Sequence, residues 1–206
     1  MIQNYQYRND LNLNKSLKFG FVRGPVWNFG DEDMKNGIEE FVRNSQLDIQ
    51  ELDLGKDFDD AAKAHEIIMN GSIANSLMNY YQTDKSNLHP FTVKRIEAGI
   101  PVSASDYVSA IEQAKKMEQI LKQFFKKYDA IITPAAPGQA PRDLMNTGNA
   151  IFNGYWTMMG VPAISLPFLK GKDDLPIGIQ FIANWNEDLK LLEICKYILD
   201  KEKLAN

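Results

Sequence analysis

One pairing of segments narrows the folds open to this chain more than any other. A short apolar run from Leu17 to Val22 is closed by Gly24-Pro25, and an acid-opened amphipathic segment follows it. The first reads as a strand ending in a turn. In the second, Asp31, Glu32 and Asp33 stand where a helix N-terminus favours negative charge, and Met34, Ile38, Phe41 and Val42 share one helical face. Leu47 to Leu54 alternates only loosely, yet a short segment placed after such a helix suggests a second strand. Strand, helix and strand in that order predict an α/β fold, a sheet covered by helices.

The remaining pattern extends this rhythm. Phe58 to Tyr81 is rich in Ala, Met, Ile and Leu and predicts a helix, with Gly71 as a weak point. A shorter helix after His89-Pro90 should stop at Gly99, ahead of Pro101. Ser103 to Asp106 has capping-box spacing, and Tyr107, Ala110, Ile111, Ala114, Met117, Leu121 and Phe124 then recur at three and four, giving the clearest helix of the chain. Tyr128 to Thr133 reads as a buried strand stopped by Pro134, and Pro137-Gly138 and Pro141 mark a loop exposed or rimming a pocket. A short helix around Phe152 to Met159 precedes two strands, Ala163 to Leu166 and Ile177 to Ile182, joined as a hairpin through Lys170 to Asp174. Asn186-Glu187-Asp188 opens a last helix with the stripe Leu189, Leu192, Cys195, Ile198 and Leu199.

At 206 residues, with no repeat or low-complexity linker, positions 1–206 are expected to form a single domain, with 1–16 as a flexible lead-in. Lys and Arg number 23 against 27 Asp and Glu, and the two signs are interleaved, so nucleic acid is not an expected partner: phosphate binding needs a concentrated basic face. The apolar runs are too short to cross a bilayer, so no membrane partner is expected. No charged, apolar-cored leader stands at Met1, and the single cysteine suits a reducing compartment; cytoplasm is the expected location.

The familiar catalytic signatures are missing. There is no GxGxxG, GxxxxGK, GxSxG or HExxH pattern. His65-Glu66 has no second histidine a turn later, so His65 reads as an ordinary helix residue, and His89 as a polar residue at a turn before proline. Neither suggests a metal site. Cys195 sits on the apolar stripe of the last helix, where a thiol stays protonated and packs as a small hydrophobe. The lysines from Lys115 to Lys127 occupy the polar side of a helix, interspersed with Glu112 and Glu118, and read as a solvated face.

A set of ordered segments stands above this background. The strongest runs from Thr147 to Asn153, then from Trp156 through Gly160-Val161-Pro162 to Pro167, then from Leu175-Pro176 to Gln180. Supporting it are Tyr128 to Pro134 with Ala136-Pro137, Asp106-Tyr107 ahead of a long helix, and Asp188 to Leu192. In these segments the chain resembles the C-terminal portion of the amidase signature family, and the likeness covers nearly everything from Leu17 onward. Gly160, Pro162, Pro167, Pro176 and Gly178 read as architecture: a helix end, forced extension and close backbone approach. The resemblance implies the C-terminal part of an α/β/α sandwich with a mixed sheet, whose residues wall a substrate pocket. On that basis Thr133, Phe152, Trp156 and Gln180 are the candidate substrate-binding residues. No cofactor and no metal are implied.

The family cleaves amide C–N bonds with a serine nucleophile, a second serine and a lysine, because a serine hydroxyl attacks only when a neighbouring base takes its proton. The sole adjacent Gly-Ser pair here, Gly71-Ser72, lies inside a helical segment, and no lysine and serine match the catalytic positions. No catalytic residue is therefore assigned in this chain, and the serine segment is expected ahead of Met1. Three readings stay open: a truncated amidase, one half of a split amidase whose N-terminal half is a separate partner, or a non-catalytic binding or scaffolding remnant. When complete, the enzyme is expected to take a small amide as its substrate. By itself the chain is expected to be inactive, to expose unpaired strand edges and an apolar patch, and to self-associate. The resemblance leaves open whether two copies pair as a functional oligomer, and a ligand-binding module with a doubly wound sheet also fits the opening segments.

Overall fold

The computed structural model describes residues 16–205; the expected lead-in over 1–16 lies, except for Ser16, outside the described residues. Five strands form one mixed sheet in the order β2-β1-β3-β5-β4. The strands are β1 (Lys18–Phe21), β2 (Asp48–Glu51), β3 (Ala130–Pro134), β4 (Ala163–Lys170) and β5 (Pro176–Ile182). β1 runs parallel to both β2 and β3, whereas β5 runs antiparallel to β3 and β4. Parallel neighbours need long crossovers and antiparallel ones need only a turn. The helices follow that division: α1 (Glu32–Asn44) links β1 to β2, while α2 (Ala61–Asp84), α3 (Pro90–Gly99) and α4 (Ala104–Phe124) link β2 to β3. The α/β sandwich and the mixed sheet expected from the sequence are both present.

Each helix starts for a visible local reason. The Asp31 side chain caps α1 by accepting from the Met34 N–H at 2.8 Å, with Glu32 and Asp33 in the first turn. Ser103 caps α4 through the Asp106 N–H at 3.0 Å. At α3, Pro90 takes the first turn and His89 Nδ1 accepts from the Phe91 N–H, which gives His89 a structural role. The short helix α5 (Gly154–Met159) ends on Gly160 with φ 66°, a left-handed cap that an L side chain occupies only with strain. Val161-Pro162 then extends into β4. That strand continues past the expected end at Leu166, through Pro167 to Lys170, with an irregularity between Leu166 and Leu169. A sheet edge tolerates such a proline because its missing N–H costs no ladder bond. Among the described residues β2 and β4 each pair on one side only.

Register assigns the two faces of the sheet. Ile132, Phe181 and Ile164 lie opposite one another and share one face; Thr133, Gln180 and Ser165 share the other. Phe168 meets Phe181 edge-on and stacks on Phe41 of α1, so α1 covers the Phe181 face. Tyr155 of α5 approaches Thr133, so α5 covers the opposite face, with α2 and α4 packed against it. The last helix, α6 (Asp188–Ala205), packs on β4 and β5 and buries Leu191, Ile194, Cys195 and Ile198. Burial pushes the Cys195 thiol up to about 12, so it stays protonated at neutral pH, in keeping with a packing role.

α2 meets α5 where Gly154 lies against His65; a Cβ on Gly154 would stand 2.6 Å from His65 Nδ1. Burial, with a smaller contribution from Arg95, lowers the pKa of His65 below 6.5, while Glu66 acts the other way. The native state therefore binds this proton less readily than the unfolded chain. Stability from this site is fully present above pH 6.5 and is lost as pH falls from 6.5 through the lowered native value. Denaturant titrations at successive pH values should show stability falling as pH drops below 6.5, with the slope flattened in His65→Gln. An unchanged slope in that variant would remove His65 from the account.

Candidate functional site

The site is set by how the chain leaves two neighbouring parallel strands. After β1 it turns toward α1 on the Phe181 face; after β3 it turns toward α5 on the Thr133 face. Adjacent exits to opposite faces leave a crevice beyond the carboxyl ends of the strands, the usual place for ligands in such sheets. Here the crevice holds about 670 Å³. Phe29 and Asp31 contribute from the β1 exit and the loop from Ala135 to Pro141 from the β3 exit. Asn149 and Asn153 lie ahead of α5, and Ser165, Gly178 and Gln180 come from the paired β4 and β5. One hydrogen bond ties the two exits together, from the Asp31 N–H to the Pro137 carbonyl at 2.7 Å.

Its polar groups are only partly used by the protein. Gln180 is buried, and its side-chain amide makes no hydrogen bond to any described residue although it lines the crevice. Asn153 Nδ2 donates to the Ala135 carbonyl at 3.0 Å, which fixes the amide and leaves Oδ1 free to accept. Asn149 Oδ1 accepts from the Ile151 N–H, which leaves its Nδ2 free to donate. Ser165 Oγ lies over Gly178, where a Cβ would stand 2.3 Å away and 3.1 Å from the Ala135 Cβ. Glycine at 178 is what lets β4 and β5 carry a serine into this wall. Among the described residues, the only charged one in the lining is Asp31.

The four residues singled out from the sequence fall into two places. Gln180 lines the crevice. Thr133 is its direct partner across β3 and β5 but is wholly buried, one strand further in. Phe152 and Trp156 are buried behind the wall. There Thr133 Oγ1, Tyr155 Oη and Trp156 Nε1 converge, although no pair among them reaches hydrogen-bond geometry. Burial drives the Tyr155 phenol far above its ordinary pKa, and the nearby Thr133 and Trp156 only partly oppose that. Asn153, Ser165 and Asp31 were not singled out from the sequence. Asn153 and Ser165 lie within the ordered segments that carried the resemblance, whereas Asp31 was legible only as a helix-opening acid.

A second cleft of about 430 Å³ lies by the exits of β1 and β2 and is lined in part by Arg23, Glu51 and Asp53. Its guanidinium is already shared between Glu39 and Glu51, which leaves it little capacity for an incoming anion. Among the described residues no lysine amine hydrogen-bonds a serine hydroxyl.

Comparison with known proteins fits this geometry. A family model described as Amidase matches residues 3–192. The chain belongs to the amidase family. A glutamyl-tRNA(Gln) amidotransferase subunit of Aliarcobacter butzleri is 34% identical over 125 residues, which is 55% of this chain and 28% of that protein. A crystal structure of an amidase superposes with a TM-score of 0.76 at 17% identity, covering 87% of this chain and 44% of that one. A structure of a vestigial protein complex, tied to the origins of an s-triazine catabolic enzyme, superposes with a TM-score of 0.70 at 19% identity, over 85% of this chain and 41% of that one. The match thus spans about a quarter of the first relative's length and less than half of each solved chain. No helix among the described residues is long and apolar enough to cross a membrane.

Because Gly178 packs face to face with Ser165 and Ala135, Gly178→Ala should overpack this wall and cost about 1–3 kcal/mol. Equilibrium denaturation measures it directly; an unchanged midpoint would mean that Ser165 turns aside freely and that the wall is not close-packed.

Proposed function

We propose that this chain forms the substrate-binding wall and part of the sheet of an amide C–N hydrolase. In this reading the serine nucleophile, second serine and lysine come from polypeptide outside the residues described here. The observation that carries the reading is the Gln180 amide, which lines the crevice of an amidase-family fold with no hydrogen bond to any described residue. An amide that faces a crevice without a protein partner is free to pair, and a substrate carboxamide offers it both a donor and an acceptor. The division of labour draws support from the absence of a lysine–serine pair among the described residues and from the length of the relatives, of which this chain matches less than half.

The substrate in this reading is a small amide, and the serine segment is either continuous with this chain or a separate partner. That one relative is named as part of a multi-chain amidotransferase, and another structure as a complex, favours assembly with further polypeptide. The working location is the cytoplasm, the whole unit from 1 to 206 acts as one domain, and no cofactor takes part. Thr133, Phe152 and Trp156 support the wall from behind, and Gln180 contacts the substrate.

Ammonia release from a simple amide tests this. The 206-residue chain by itself should release none, while the chain joined to the polypeptide that carries the serine segment should turn over. In that active form Gln180→Leu should lower kcat/KM roughly 10- to 100-fold. Turnover by the chain alone would overturn the division of labour, and no turnover from the joined form would overturn the hydrolase reading.

A further inference from the structure

The charge of the crevice restricts which amides fit it, an inference that rests on the proposed amide hydrolase. Gln180 presents a free donor and a free acceptor, Asn153 a free acceptor, Asn149 a free donor, and Ser165 a hydroxyl that serves as either. That set complements an uncharged primary carboxamide, whose carbonyl accepts and whose amino group donates twice. The described lining offers a carboxylate neutral donors but no cationic side chain. The N-terminus of α1, a 13-residue helix, would suit an anion, but Asp31 already occupies it through the Met34 N–H. Its second oxygen, Oδ2, lies against the crevice at Gly138, where a Cβ would stand only 1.9 Å away, and it has no hydrogen-bond partner among the described residues.

The surrounding charges do not reverse this. Arg142 is held by Asp173 at 2.9 Å, and Gln139, which lines the crevice, also binds Asp173. The carboxylate of Asp173 is held below its ordinary range by Gln139 first, and also by Arg142 and Lys172, so it stays charged. Asp33 accepts from the Lys172 N–H at 2.9 Å, which places a third carboxylate beside the same rim. Asp31, Asp33 and Asp173 therefore face Arg142 and Lys172 with one negative charge in excess, and of the three carboxylates only Asp173 is in a salt bridge.

We infer that the crevice is a specificity device for uncharged carboxamides: the Gln180 amide pairs with the substrate carboxamide, and the Asp31 carboxylate turns away amides that carry a carboxylate close by. A carboxylate entering beside the exposed Asp31 meets like charge that no cation in the described lining offsets. The selectivity lies in rejection as much as in attraction.

Butyramide and succinamate test it, because they share a four-carbon frame and differ in a methyl against a carboxylate. Saturation-transfer NMR on the whole 206-residue chain reads binding of either probe and tolerates self-association of the protein. Butyramide should receive saturation, with a Kd at least about 10-fold lower than that of succinamate. Gln180→Leu should remove the butyramide signal while the circular dichroism of the fold is retained. Asp31→Asn, whose side-chain oxygen still caps α1, should narrow the gap between the two probes by raising succinamate affinity. Succinamate binding as tightly as butyramide would overturn the selectivity and leave the amide site standing. Saturation of neither probe by the folded chain would sink the amide site and the selectivity together. Should Gln180→Leu keep full butyramide binding, the assignment to this crevice fails.

Discussion

The antiparallel insertion of β5 between β3 and β4 is the constraint on which the rest of the molecule depends. Its register places Phe181 opposite Ile132 and Ile164 on one face, and Gln180 opposite Thr133 and Ser165 on the other. Alternate residues of a strand face opposite ways, so a slip of one position would send Phe181 toward the crevice and Gln180 under α1. Packing forbids that: Phe181 is fully buried and meets Phe168, which stacks on Phe41 of α1. The aromatic ladder on one side of the sheet thereby sets the position of the polar row on the other. Core and site are two faces of one register.

The opposing exits of β1 and β3 supply the second element. A parallel pair whose connections leave over opposite faces opens a crevice without any special device, and the Asp31 to Pro137 hydrogen bond fixes its width. What the sequence adds is chemistry of low charge: two asparagines, two glutamines, a serine, a threonine and one carboxylate. Gly178 belongs with them, because a side chain there would collide with Ser165 and Ala135. The inner cluster of Thr133, Tyr155 and Trp156 lies one layer deeper and ties α5 to β3, so the residues behind the wall matter to its shape even where they do not reach its surface.

Much of this was legible in the sequence because the signals are local. The acidic start of α1, the cap at Ser103, the stop at Gly160 and the buried β3 all follow from residues a few positions apart. The extension of β4 past Pro167 was not, because a proline reads as a strand end unless the strand is known to lie at an edge. Sheet order was equally hidden, since it is decided by packing between segments more than a hundred residues apart, as between β1 and β3. Within the site, Gln180 stood out only through family resemblance. Asn153 and Asn149 gain their meaning from which of their atoms are already bound, to Ala135 and Ile151, and no pattern of residue types records that. Asp31 read only as a helix-opening acid because its approach to Gly138 is made across the fold.

The central claim is that the exits of β1 and β3, with Gln180 on the neighbouring β5, form the amide-binding wall. A crystal structure of the chain grown with butyramide tests this most directly. The account places the carboxamide within hydrogen-bonding distance of both the Gln180 side-chain amide and Asn153 Oδ1. Butyramide ordered instead in the cleft beside Arg23, with the Gln180 crevice filled only by solvent, would contradict it.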